Sequence, residues 1–462
     1  MFFQQWKLLF GEVCGYDIDT PTDRITKLAE YYGILEAPKP AELMFALHSY
    51  YALFIKLLSA EIVAFFHKLP TPVQRLLKAS NSRKLKEEIE DLESGSIFRY
   101  LNITNFLEGD FFSWYQYSWD DSIEKIIRSI ANEIDEYNPG TLSEDPEGSR
   151  DLLKKLYEQL FPKTVRHDLG EYYTPDWLAE HVLNELQYAG NPEKRILDPA
   201  CGSGTFIIAA INRARVWYEK NRETCNYSEG DLLRKILSNI VGFDLNPLAV
   251  MTARTNYLIS IRDLVSYVEK VEIPIYLCDS IVTPSEYGGI DTYLTGEKKL
   301  TKELKTSVAK FRIPLEIATS GKSLAQYCEL LESCVKGRYE PNEFIQRCRN
   351  EGVKISAEEM HIRLYKQLFR LDEHNQNGIW ARIIKNAFAP IFCGKFELVI
   401  GNPPWINWNN LPNEYRSDTE PIWRKYDLWP TYLLGAYRIF RSFLSMSVAI
   451  HTWKLAGGWD LS

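Results

Sequence analysis

Cysteine is scarce in this chain. Eight cysteines are spread over 462 residues without paired metal-ligand spacing. Cys328, Cys334 and Cys348 fall along helical-looking sequence. This predicts reduced thiols in a cytoplasmic protein, not a disulfide framework and not a metal centre. A secretory start is not seen, because Met1-Phe2-Phe3-Gln4-Gln5-Trp6 has neither a basic stretch nor a cleavage site. Long unbroken apolar runs are also lacking. The longest, Leu43 to Phe66, is interrupted by His48, Lys56, Glu61 and tyrosines. It is expected to be a buried pair of helices and not a membrane span. Net positive charge is missing too: the formal charge is −8, which argues against a protein that simply coats DNA. A local basic face can still serve an enzyme. Lys298, Lys299, Lys302, Lys305, Lys310, Arg312 and Lys322 form one modest basic region, read first as a solvated helix face and second as a phosphate track. Two nucleotide fingerprints are absent: no Gly-x-Gly-x-x-Gly, and no Gly-Lys-Ser/Thr of a P-loop, at the glycine-rich turn described next.

What is present is a strand, a glycine turn and a helix. Ile196 and Leu197 run into Asp198, Pro199, Ala200, Cys201, Gly202, Ser203, Gly204 and Thr205, and an apolar stretch from Phe206 to Ile211 follows. That is the nucleotide-site arrangement of doubly wound sheets. The glycines tolerate positive φ and close ligand approach, the helix N-terminus offers N–H groups to a carboxylate, and Asp198 can attract a cation. A second strand, Ile240 to Phe243, ends in Asp244 and Leu245, where an acid is placed to hold a ribose diol. The stretch between, about Tyr218 to Leu237, reads as extended helix and loop. A third strand, Ile273 to Leu277, ends in Cys278, Asp279 and Ser280, and Asp279 could accept from an adenine amine. A fourth apolar run, Phe396 to Ile400, turns at Gly401 into Asn402-Pro403-Pro404-Trp405. An amide, a proline-stiffened carbonyl and an aromatic ring at one corner suit the grip of a flat base and its exocyclic amine.

Together these motifs resemble those of S-adenosylmethionine-dependent DNA adenine-N6 methyltransferases, of the type IIG-like restriction–modification and phage-defence kind. The resemblance covers about Leu152 to Tyr437 and includes His167-Asp168-Leu169-Gly170-Glu171-Tyr172-Tyr173-Thr174-Pro175 ahead of a helix from Asp176 to Leu186. It implies a doubly wound, Rossmann-like α/β sheet and S-adenosyl-L-methionine as cofactor. Tyr173, Thr174 and Pro175 would meet its methionine end, and Asp198, Pro199, Ala200, Gly202, Gly204, Thr205, Asp244, Leu245, Asp279 and Ser280 would line the rest. Asp427, beside Tyr426, falls where the family has a further cofactor-pocket segment. Asn402, Pro403, Pro404 and Trp405 would be catalytic, acting on an adenine flipped from double-stranded DNA.

The expected organisation is an N-terminal helical domain over 1–150, then a methyltransferase core over 151–462. The core holds cofactor motifs at 167–280, a catalytic motif at 396–405 and a helical insertion at 283–388. Pro38 and Pro40 set off the apolar run of the first domain, and the polar stretch 138–149 marks the boundary. Asp291 followed by Glu297-Lys298-Lys299 mimics a nuclease motif, but its spacing is short and no strand surrounds it. Of the later aromatics, Trp423 and Trp429 are read as core. The family's sheet has further strands after the catalytic one, which leads to the expectation of a sheet incomplete at the C-terminus and of a second polypeptide that supplies the rest and the target-recognition domain. Two other readings stay open: a truncated, non-catalytic methylase fragment or subunit, and a methyltransferase acting on RNA or on protein glutamine.

Overall fold

The computed structural model describes residues 2–4, 6–7, 23–34, 39–107, 112–136, 153, 157–160, 174–281, 301–305, 310–317, 320–374, 380–403 and 413–425. In chain order its strands are β1 (Ile196–Asp198), β2 (Ile240–Asp244), β3 (Ile275–Leu277), β4 (Thr301–Lys305), β5 (Lys310–Pro314) and β6 (Leu398–Val399). β3, β2, β1 and β6 lie side by side in that order, every pair parallel. The chain is therefore α/β, with a parallel sheet and many helices. Ile196, Ile240 and Ile275 join one core, while Leu197, Val241 and Phe243 form another with Phe396 and Cys278. Successive strand residues point to opposite faces, so both faces are covered. That explains why these strands are uninterrupted apolar runs.

Between β1 and β2 run helices Thr205–Asn221 and Glu229–Asn239. The second carries a reciprocal capping box between Ser228 and Asp231. It replaces most of the expected loop. Helix Pro247–Ile261 links β2 to β3 and packs on helix Thr205–Asn221. After β3 the chain returns past β2 and β1 to place β6 on the far side of β1. Helix Trp380–Phe392 precedes it, and the Asn386 side chain accepts from the Leu277 N–H at 3.2 Å. Strand order thus reverses between β1 and β6, and the crevice at the carboxyl ends of two such strands is where open parallel sheets bind ligands. Both outer strands are shorter than the apolar runs that announce them, β3 starting at Ile275 and β6 spanning Leu398–Val399.

Two expectations are corrected. The apolar run Leu43 to Phe66 is one continuous helix, Pro40–Phe66, of 27 residues, not a pair. The three charged or ionisable residues that seemed to break it, His48, Lys56 and Glu61, each have a partner outside the helix. Trp6 Nε1 donates to His48 Nδ1 at 3.0 Å, Lys56 Nζ donates to both Glu93 oxygens at 2.9 and 2.8 Å, and Glu61 Oε1 accepts from Val73 N at 2.6 Å. The helix is long and apolar enough to cross a membrane by composition, yet 78% of its most apolar window is buried inside the protein. The second correction concerns 283–388, expected to be helical. It includes the antiparallel ribbon β4–β5 ahead of helices Gly321–Lys336, Pro341–Asn350 and Glu358–Glu373. Lys302, Lys305, Lys310 and Arg312 therefore lie on strands, not on a helix face. Phe311 and Ile313 are buried on β5 while Lys310 and Arg312 are exposed, an alternation of period two.

The N-terminal helices are stitched to the sheet layer. Ser59 Oγ lies 3.0 Å from Thr255 Oγ1. Asn105 exchanges two hydrogen bonds with Ile273, each 2.8 Å. Arg254, buried, donates to the Ile275 carbonyl at 3.0 and 2.8 Å and to the Phe106 carbonyl at 3.3 Å. These partners hold the chain at the start of β3.

Candidate active site at the carboxyl edge of the sheet

The glycine turn after β1 is built by its own backbone. Gly202 and Gly204 have φ of 54° and 89°, values in the left-handed region that favours glycine. Cys201 N donates to Phe243 O at 2.8 Å, tying the turn to β2, and Asn256 Nδ2 holds the Ser203 carbonyl at 2.9 Å. Gly204 is the N-cap of helix Thr205–Asn221 and brings no side-chain acceptor, so the first N–H groups of that helix are oriented toward the crevice end. A Cβ at Gly202 would meet nothing within 4 Å. The turn is an open cradle.

Two of the three strand-end acids, Asp198 and Asp244, bond directly to it, and Asp279 follows the neighbouring strand β3. Asp198 is 1% exposed, and its Oδ1 accepts from Ala200 N at 3.1 Å. Burial pushes its carboxyl up to about 8, against the Ala200 hydrogen bond and with a smaller push from the Asp244 charge. A cation in the crevice would offset that cost. Asp244 Oδ2 accepts from Gly202 N at 2.8 Å and its Oδ1 from Asn246 N at 2.8 Å. Leu245 is half-buried beside it, and Asn246 caps helix Pro247–Ile261 through Leu248 N at 2.9 Å. At the end of β3, Cys278 N bonds to Asp244 O at 3.0 Å, and Asp279 Oδ1 accepts from Ile281 N at 2.7 Å. Ser280 is buried next to it. The donor set is thus acidic on three strand ends and N–H-rich at one helix start, which suits a ligand with cationic, diol and carboxylate parts.

The Gly401-Asn402-Pro403 turn adjoins this cradle. Ile400 N bonds to Leu197 O at 2.9 Å, and Arg195 N donates to Glu397 Oε2 at 2.6 Å, so β6 is held in register with β1. The Arg195 guanidinium donates to the carbonyls of Lys395 (2.8 Å) and Cys393 (2.5 Å) and lies over the Phe396 ring. Gly401 passes Asp198 so closely that a Cβ there would be 2.6 Å from Asp198 Oδ1. Asn402 follows, half-buried, with Pro403 buried behind it. Asn402 Nδ2 donates to Thr174 Oγ1 at 3.4 Å. Thr174 is buried, and Pro175 caps helix Asp176–Glu185. The structure therefore brings Thr174, Asp198 and Asn402 to one place, although they are remote in sequence. Tyr173, Pro404, Trp405, Trp408, Tyr426, Asp427, Trp429, the polar stretch 138–149 and the nuclease-like residues Asp291, Glu297, Lys298 and Lys299 lie outside the described residues. Trp423 is buried.

Sequence reasoning missed the arginines that hold this site. Arg213, on helix Thr205–Asn221, donates to Glu180 Oε2 at 2.9 and 2.5 Å, to Asn184 Oδ1 at 2.7 Å and to the Tyr188 carbonyl at 2.7 Å. It clamps helix Asp176–Glu185 against the glycine-turn helix. No local pattern marks such a residue, because its partners lie on another element.

Residues 148–286 match the family described as N-6 DNA methylase, and residues 238–458 match the Eco57I restriction-modification methylase family. Among curated proteins, the chain is 28% identical over 220 residues to "Adenine-specific methyltransferase PglX" of Streptomyces coelicolor, an alignment covering 41% of this chain and 18% of that protein. It is 24% identical over 247 residues to "Putative type II restriction enzyme and methyltransferase RM.MjaORFECS2P" of Methanocaldococcus jannaschii, covering 41% of this chain and 20% of that protein. It is 27% identical over 191 residues to "Type II methyltransferase M.VspI" of a Vibrio species, covering 41% of this chain and 37% of that protein. The chain thus spans well under half the length of these relatives. Residues 148–458 are thus similar in sequence to the N-6 DNA methylase and Eco57I restriction-modification methylase families, in line with the resemblance drawn from the motifs.

Proposed function

We propose that this protein transfers a methyl group from S-adenosyl-L-methionine to adenine N6 in double-stranded DNA, within a restriction–modification or phage-defence system. The observation that carries the reading is the junction of the two motifs: the Gly401-Asn402-Pro403 turn lies directly against buried Asp198 of the glycine turn. A cofactor edge and an amine-gripping edge are then one site. The proposed architecture is a Rossmann-like core over 151–462, with the N-terminal helices of 1–150 and the insertion of 283–388 attached to it.

The cradle fits the cofactor. Asp198, Asp244, Asp279, Leu245, Ser280 and the backbone of Pro199, Ala200, Gly202, Gly204 and Thr205 would hold it, with Tyr173 to Pro175 and Asp427 completing the pocket. When bound, it supplies an electrophilic methyl group on a sulfonium. The protein's task is to make a poor nucleophile attack. The adenine amine has its lone pair delocalised into the ring. The Asn402 side-chain oxygen and the Pro403 carbonyl would each accept a hydrogen bond from one of its N–H groups, which localises the lone pair on nitrogen. Pro404 would stiffen the turn, and Trp405 would stack on the extruded base. Positioning and electrostatics then provide the acceleration, and because the nitrogen that gains the methyl is strongly acidic, its surplus proton would pass to water without a general base of matched pKa.

Calorimetry with the whole chain tests the cofactor half of this reading. S-adenosylmethionine should bind, and Asp198→Ala should abolish binding. Equal affinity in both proteins would refute the assignment.

A further inference from the structure

We infer that Thr174 is a positioning residue for Asn402, fixing which end of the catalytic amide is presented to the target amine; this rests on the methyl-transfer reading above. An asparagine amide has an acceptor oxygen and a donor NH2 group related by a half-turn about its terminal torsion. Only the oxygen can accept from an amine. The reversed amide would set two donors against each other. In the structure Asn402 Nδ2 donates to Thr174 Oγ1 at 3.4 Å. Covalent geometry then turns Oδ1 away from Thr174.

The acceptor itself is held firmly. Thr174 is 8% exposed and precedes Pro175, whose ring fixes φ at −63° and whose carbonyl accepts from Leu178 and Ala179 N at 3.0 and 3.2 Å. The helix that starts there is clamped by Arg213, which reaches Glu180, Asn184 and the Tyr188 carbonyl at once. Arg213 extends from the helix that opens at the Gly204 turn. A continuous line of contacts therefore runs from the glycine turn, through Arg213 and helix Asp176–Glu185, to Thr174 and the Asn402 amide. Setting the amide in advance spares the reaction an ordering cost.

Thr174→Val and Thr174→Ser in the whole chain separate this role from others. Valine keeps shape but has no acceptor; serine restores it. The first readout is the side-chain amide signal of Asn402 in asparagine-15N-labelled protein, assigned by its loss in Asn402→Ala. It should move in Thr174→Val and stay near the wild-type position in Thr174→Ser. The second is kcat on duplex DNA at saturating cofactor. It should fall about tenfold in the valine variant, the scale of one lost hydrogen bond, and recover in the serine variant. An unmoved amide signal, or an unchanged kcat with only cofactor affinity reduced, would overturn the positioning role. A wild-type chain with the hydrogen-bonded amide signal but no methyl transfer would instead count against the methyl-transfer reading.

Discussion

Gly401 and Asp198 are packed so tightly that a methyl carbon on Gly401 would come within 2.6 Å of Asp198 Oδ1 and 3.6 Å of Pro199 Cδ. The turn after β6 and the glycine turn after β1 therefore share a wall with no spare volume. Gly401→Ala must displace one of them. It should lower stability by about 1–3 kcal/mol, as overpacking of close-fitted interiors does, and weaken cofactor binding as well. Thermal denaturation and calorimetry check this; a variant matching wild type in both would contradict the contact.

Asp198 makes a pH prediction. Its folded-state carboxyl is raised to about 8, chiefly by burial, from an ordinary 3.8. The folded protein keeps a proton that the unfolded chain has already released. The stability from this group is thus full below the unfolded value and is lost as pH rises through about 8. Without ligand, the protein should be more easily denatured by urea at pH 9 than at pH 6, and Asp198→Asn should flatten that slope. Cofactor affinity should move the opposite way, since a cationic ligand prefers the ionised carboxylate. An equal slope in both proteins would contradict the buried acid.

Lys56 and Glu93 form a buried ion pair, 0% and 3% exposed, with Tyr115 OH donating to the same carboxylate. Lys56→Met removes the cation and leaves the acid uncompensated. That should cost about 3–5 kcal/mol in urea denaturation, and adding Glu93→Leu should recover most of the loss. If the single and double variants are equally stable, the pair is not coupled as described.

Local features of the site were legible and long-range ones were not. β1, the glycine turn and helix Thr205–Asn221 form one uninterrupted stretch whose apolar run and glycines each act within a few residues. The same holds for Asn402 and Pro403 after β6. Helix Pro40–Phe66 was misread as a pair because His48, Lys56 and Glu61 appear as breaks in an apolar run. Their partners Trp6, Glu93 and Val73 lie outside the helix. The β4–β5 ribbon was missed because its alternation is short and its strands are rich in lysine. Arg213, Arg195 and Arg254 carry no local signal, since what they do is bind carbonyls and acids of other elements. The Thr174–Asn402 contact likewise exists only because two helices and two strands bring those residues together.

The most direct test is nucleoside analysis of duplex DNA incubated with the whole chain and S-adenosylmethionine. N6-methyladenine should accumulate with the wild-type chain and be undetectable with Asn402→Ala, while that variant binds cofactor nearly as well as wild type. Methylation by Asn402→Ala at the wild-type rate, or a cofactor-bound wild-type chain that forms no N6-methyladenine, would contradict the assignment of this edge as an adenine methyl-transfer site.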